Sequence, residues 1–234
     1  MQGETATVLR FEGDGFPALS LWYRCGQLTG SWRADTNGVF VGLIDGVSRC
    51  PDPKSDFTPA WLRGVTAFRA TGDGRVLLDA GGGIVTRLLP VGRPAPAPPL
   101  GVDPKSVRPP VVTDEARRRL APAAPLPPAL TAVARDALVG RWVPLPDQKS
   151  RKPFAELRAD GSWTSFDGCN GQFGRWAAGP AGALLAIGGH MTLLDCGNHP
   201  VGDWFQEASR AGIDGDTLVL LDRGGTELGR VRRG

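Results

Sequence analysis

The sequence predicts a mainly β (α+β) protein assembled from two copies of one unit, each a run of short strands, one helix and a closing hairpin. Three observations predict this. The same landmarks recur in the same order at offsets of 143–146 residues, so 11–89 and 157–233 form a duplication. Thirty-three glycines and 21 prolines in 234 residues punctuate the chain at the short intervals that turn-rich β structure requires. Twelve of those prolines fall between Pro90 and Pro128, which excludes a buried sheet there and marks the join between the copies. The domains expected are therefore 1–90 and 138–234, with a Pro-rich linker over 91–137.

The landmarks are specific enough to align the copies. Asp14-Gly15 matches Asp160-Gly161, and Cys25-Gly26 matches Cys169-Asn170. Trp32 and Trp176 each follow the cysteine by seven residues. The second cysteine comes 25 residues on in the first copy (Cys50) and 27 in the second (Cys196). Trp61 and Trp204 follow, then Val76-Leu77-Leu78-Asp79 and Val219-Leu220-Leu221-Asp222 at matching distances.

In the second copy, 139–143, 154–158, 163–166, 173–177 and 184–187 have strand character between Asp-Gly, Gly-Pro and Gly-Gly turns. A helix is predicted with Asn198 as cap and Pro200 in its first turn. Val201, Trp204, Phe205 and Ala208 would form its apolar stripe at i, i+3, i+4 and i+7. The first copy repeats this, with Thr58 as cap, Pro59 at the first position and Trp61, Leu62, Val65 and Phe68 as the stripe. Hairpins over 217–221 and 226–231, and over 75–78 and 84–88, close the two units. Within the linker, Thr113-Asp114-Glu115 opens a short helical pattern to Leu120, and 130–138 could hold another turn or two. The second copy is preceded by Gly140-Arg141-Trp142, a strand whose counterpart would fall upstream of Met1. The first copy is accordingly expected to lack its first strand, and the natural product to extend upstream, with room for an export signal.

Composition narrows the function classes. Hydrophobic residues make up 41% and charged residues 22%, ordinary globular values. Net charge is +3, and no Lys/Arg run is interleaved with aromatics, so a nucleic-acid partner has no support. No apolar segment reaches the roughly 18 residues that span a bilayer. Met1-Gln2-Gly3-Glu4-Thr5 has neither the basic nor the apolar region of a signal peptide.

The second copy resembles the META domain family, which includes heat-shock lipoproteins. The matching residues are Gly140-x-Trp142, Asp160-Gly161, Gly168-Cys169-Asn170 with Gly174, Thr192 before Cys196, then Trp204-Phe205 and the terminal hairpin. The first copy is a divergent relative, with Arg24-Cys25-Gly26 in place of Gly-Cys-Asn. The resemblance implies a small antiparallel, partly closed β-barrel with one helix packed against it. It also implies a bacterial envelope or secreted protein linked to stress or motility, without catalysis.

Cys25 with Cys50, and Cys169 with Cys196, are expected to form disulfides; each would close a loop worth roughly 3–4 kcal/mol on the chain-entropy model. The alternative is four reduced, buried thiols in the cytoplasm. A zinc site from Cys169, Cys196, His190 and His199 is chemically conceivable, but the first copy contains no histidine, and no metal or other cofactor is expected. Catalysis lacks a Gly-x-Ser-x-Gly motif, and Asp160, Asp167, Asp195 and Asp203 are better explained by turns and a helix face than by an acid–base pair. Trp22 and Trp163 precede the first cysteines and could line a barrel mouth, which would suit a small apolar or lipid ligand. The expectation is a non-enzymatic structural or interaction module of the envelope, with ligand binding second and a hydrolase third. Neither the partner nor the oligomeric state is written in the sequence.

Overall fold

The computed structural model describes residues 8–13, 17–23, 26–48, 58–90, 111–146, 152–192, 194 and 197–234. The first copy opens with β1 (Val8–Phe11), β2 (Ala18–Tyr23), β3 (Gly26–Ala34) and β4 (Phe40–Ser48), an antiparallel sheet in that order. A one-turn helix α1 (Ala60–Arg63) follows. Then β5 (Ala67–Ala70), β6 (Arg75–Leu78) and β7 (Ile84–Leu88) form a second antiparallel sheet. An isolated bridge between Val39 and Ala67 links the two sheets at one side.

The join contributes α2 (Asp114–Arg119), β8 (Thr131–Ala132) and α3 (Arg135–Leu138). Thr113 caps α2 by accepting from Ala116 N at 3.1 Å, and acidic first-turn and basic last-turn residues suit the helix dipole. This stretch docks rather than dangles: β8 pairs with a strand of the second copy, and Ala124 N donates to Arg223 O at 2.9 Å.

The second copy comprises β9 (Gly140–Leu145), β10 (Phe154–Leu157), β11 (Ser162–Phe166), β12 (Gly171–Ala178), β13 (Leu184–Gly188), α4 (Val201–Glu207), β14 (Arg210–Asp214), β15 (Thr217–Leu221) and β16 (Glu227–Arg233). Its strands form one antiparallel sheet in the order β13-β12-β11-β10-β9-β16-β15-β14-β8. A bridge from Ala183 to Arg210 brings the β13 end towards β14, so the row curls into a partly closed barrel.

The duplication extends to single hydrogen bonds. Trp32 Nε1 donates to Glu12 O and Trp176 Nε1 to Arg158 O, both at 3.0 Å. Phe40 N bonds Thr66 O as Leu184 N bonds Ser209 O. The register shift between Leu77 and Leu78 recurs between Leu220 and Leu221. A Cβ on Gly30 would lie 1.9 Å from Leu43 O, and one on Gly174 1.8 Å from Ile187 O, so both copies need glycine where two strands approach closely.

Each interior is filled by side chains. Leu157, Trp163, Trp176, Leu184, Phe205, Leu218 and Val231 form the second core, with α4 laying Val201 and Phe205 onto it. Leu19, Leu21, Leu28, Phe40, Leu62 and Leu77 form the first.

Four local expectations change. The N-cap of α4 is Pro200, not Asn198, and that of α1 is Pro59, not Thr58; neither helix has a side-chain cap. Thr58 Oγ1 instead donates to Ile44 O at 3.3 Å. Phe68 lies in β5, and Ala208 is the extended C-cap residue of α4 (ψ 139°), so each helical stripe runs past the end of its helix. The 130–138 segment holds a strand as well as a helical turn.

Candidate functional site: the seam between the copies

Strands β4 and β13 occupy equivalent places, and both are apolar on both faces. On β13, Leu184 and Ala186 point into the second core. Ala183, Leu185 and Ile187 alternate with them outward and pack against Val39, Val41 and Leu43, the equivalent outward row of β4. Ala177 completes this cluster. The same surface from each copy therefore meets its counterpart, as in an isologous dimer.

Charged residues break the symmetry. Arg33 stands where the second copy has Ala177. Its Nη1 donates to Ala186 O at 3.2 Å and to Gln206 O, and its Nη2 to Ala208 O at 2.8 Å. Burial, then the charge of Arg223, partly opposed by Glu207, lowers its pKa to about 10. The guanidinium thus stays charged at neutral pH while tying β3 to β13 and the end of α4. Asp35 and Arg210 make a buried pair, Nη1 to Oδ2 at 3.3 Å. Asp35 Oδ1 also accepts from Val39 N at 2.9 Å, which fixes the turn feeding β4. Their equivalents are Gly179 and Ala67, too small to pair, and a Cβ on Gly179 would strike Val39 Cγ2 at 2.4 Å.

Beside the apolar seam lies a cleft of about 630 Å³ walled by both copies. Its polar groups include Ser31, Arg33, Asp45, Gln172, His190 and Gln206. Gln206 Nε2 donates to Gln172 Oε1 and its Oε1 accepts from Gly188 N, both at 2.9 Å. His190 Nδ1 is 3.6 Å from Asp45 Oδ2, and burial raises the Asp45 pKa against the opposing pull of His190. Ser31 is 2% exposed, and its Oγ has no hydrogen-bond partner among the described residues. A histidine–carboxylate couple is present, but it is not hydrogen-bonded to the serine as nucleophilic catalysis requires.

The residues singled out from sequence go elsewhere. Trp163 is 1% exposed in the second core, its Nε1 donating to Ile187 O at 2.9 Å; its equivalent is Leu19. Trp22 lies on the opposite face of β2 from Leu19 and Leu21, and its equivalent is Phe166. The two tryptophans are not counterparts, and neither lines the cleft. Cys169 is disulfide-bonded. Cys25, Cys50, Cys196 and Asp195 lie outside the described residues, and so do the expected pairings.

The histidines have separate neighbours: His190 faces Asp45, and the ring of His199 is 5.4 Å from that of Trp204. Among the described residues no three His, Cys, Asp or Glu side chains gather as metal ligands. The Asp160 pKa is lowered by hydrogen bonds from Ser162. At Asp167 burial acts upward but is outweighed by hydrogen bonds from Asn170 and Cys169, so its pKa is lowered. Asp203 is raised by burial and by the charge of Asp167.

The Gly-Cys-Asn motif also has a structural account. Asn170 Nδ2 donates to Asp167 Oδ2 and Leu194 O, both at 2.8 Å, and Oδ1 accepts from Thr192 Oγ1 at 2.7 Å and Leu194 N at 2.9 Å. The motif's asparagine and threonine pin the segment that precedes Cys196. Sequence reasoning missed Ser31, Arg33, Asp35, Asp45, Gln172, Gln206 and Arg210. The usable signal was double-faced apolarity: Val39–Ile44 and Ala183–Ile187 carry apolar residues at successive positions, as strands buried on both faces do.

No protein-family model, curated protein or solved structure matches this chain.

Proposed function

We propose that the protein is a non-enzymatic interaction module of two META-like domains, working in the cell envelope or outside the cell. The observation that carries this is the packing of large apolar side chains together in both interiors among the described residues, which favours recognition by surfaces. A disulfide at Cys169 supports an oxidising compartment, where Cys169 would pair with Cys196 and Cys25 with Cys50. Intact mass after thiol alkylation tests the setting. Alkylation only after reduction is expected; four thiols alkylated without reductant would remove the case for export.

A second reading, binding of a small polar ligand, is favoured by one observation: the buried Ser31 hydroxyl on the cleft wall, unpartnered among the described residues. Thermal-shift screening with neutral polyols and saccharides tests it. A ligand that stabilises the protein but not Gln206→Leu would support it, and equal shifts in both would not.

A further inference from the structure

We propose that the cleft between the copies takes up a small zwitterion of dipeptide length, its carboxylate against Arg33 and Ser31 and its ammonium against Asp45. The proposal rests on the polar-ligand reading of the cleft and names that ligand's chemistry. Thr29, Ser31 and Arg33 stand at alternate positions of β3 and line the cleft, while Leu28, Trp32 and Ala34 pack in the first core. Across the ladder Gly30 pairs with Ile44 and Thr29 with Gly46, so Asp45 is an extra residue on β4. Such a bulge re-aims a side chain, and Asp45 joins the same cleft wall.

Both charges on this wall are incompletely matched. Arg33 Nη1 donates to Ala186 O and Gln206 O, and Nη2 to Ala208 O; among the described residues it makes no ion pair. A guanidinium has five N–H donors, so Nε–H and one Nη2 hydrogen remain, the edge that meets a carboxylate side-on. The Ser31 hydroxyl, buried and without a partner among the described residues, lies on the same face. Asp45 is partly buried, and His190 Nδ1 at 3.6 Å is beyond hydrogen-bond reach of its carboxylate. Burial disfavours the charged form of Asp45, which an incoming cation would restore.

Spacing sets the length of the ligand. Ser31 pairs with Leu43, which places Asp45 two residues along β4, roughly 7 Å at about 3.3 Å per residue. A free α-amino acid carries both charges on one carbon and cannot reach both ends, whereas two extended residues span roughly 7 Å. Opposite, the second copy presents the amides of Gln172 and Gln206. Gln206 Nε2 donates to Gln172 Oε1 at 2.9 Å, and Gln172 Nε2 to Gly189 O at 3.3 Å. Each amide nitrogen keeps one hydrogen for the peptide unit of the ligand.

The test is calorimetric titration of the full protein with alanyl-alanine, its N-acetyl and C-terminal amide forms, alanine, δ-aminovalerate and, as a neutral polyol, sorbitol. Alanyl-alanine should bind, and both blocked forms and alanine should bind about tenfold or more weakly. δ-Aminovalerate has a similar span but no amide and should fall between them. Asp45→Asn should weaken alanyl-alanine and leave the N-acetyl form unchanged; Ser31→Ala should weaken alanyl-alanine and leave the amide form unchanged. These ratios are read within one variant, so a loss of folded protein does not mimic them. Equal binding of a blocked form, of alanine or of δ-aminovalerate, or an Asp45→Asn effect shared by the N-acetyl form, would overturn the proposal. Binding of sorbitol without alanyl-alanine would overturn it and keep the polar-ligand reading, whereas binding of none of the probes would sink both.

Discussion

In the second copy β9 sits between β10 and β16; in the first, the corresponding β1 and β7 end separate sheets among the described residues. From β1 to β7 and from β10 to β16 the copies otherwise agree, down to the tryptophan indole bonds and the shift before the last hairpin. In the second copy β9 joins β10 to β16 and covers the apolar residues beneath it; among the described residues no strand does so in the first. The comparison also separates what the fold needs from what each copy has acquired. Glycine at Gly30 and Gly174 belongs to the fold, whereas the Asp35–Arg210 pair joins the copies without a symmetric counterpart and the Asn170 network is built by the second copy.

The largest effect expected is from Trp142→Ala, which empties a buried site under β9. It should cost about 3–5 kcal/mol in denaturant unfolding. Trp32→Ala in the first core should cost clearly less, because Trp32 is only partly buried. Equal losses would mean that the two cores are equally sealed.

Leu185→Ala acts where the copies meet and should cost about 2–5 kcal/mol. Because the seam couples the copies, this variant should also split one unfolding transition into two, read by calorimetry. A single sharp transition at lower temperature would show that the seam is not what couples them.

Asn170→Ala removes a buried amide and leaves Thr192 and Leu194 without its bonds, at a cost of about 1–3 kcal/mol. Exchange at Leu194 should accelerate. Gly26 stands at the matching position, so the first copy has no such network to lose.

The smallest effect expected is at Asp203, where the first copy has Ala60. Burial and Asp167 raise its folded pKa, so the carboxylate costs stability above its ordinary value of 3.8, fully so once pH exceeds the folded value. Asp203→Asn should therefore stabilise the protein at neutral pH and make no difference well below pH 3.8, measured by pH-dependent melting.

Much of the fold was legible because it is periodic. The repeat, the hairpins and the extra Gly140-x-Trp142 strand follow from turn residues and spacing alone. The helix ends were misplaced because Val65, Phe68 and Ala208 continue an i, i+3, i+4 pattern although the backbone has already turned extended. The seam was illegible for a different reason. Arg210 meets Asp35 across 175 positions of sequence, and local patterning carries no trace of such a partner. Trp22 and Trp163 both precede a cysteine in the sequence, but strand alternation puts Trp22 on the face of β2 opposite Leu19 and Leu21 and Trp163 in the second core.

Hydrogen exchange of the untreated protein tests the central claim most directly, by comparing 8–11 with 154–157 and 84–88 with 227–233. If β9 alone seals the second copy, the second-copy segments exchange much more slowly than their first-copy counterparts. Equal protection in both pairs would contradict the account.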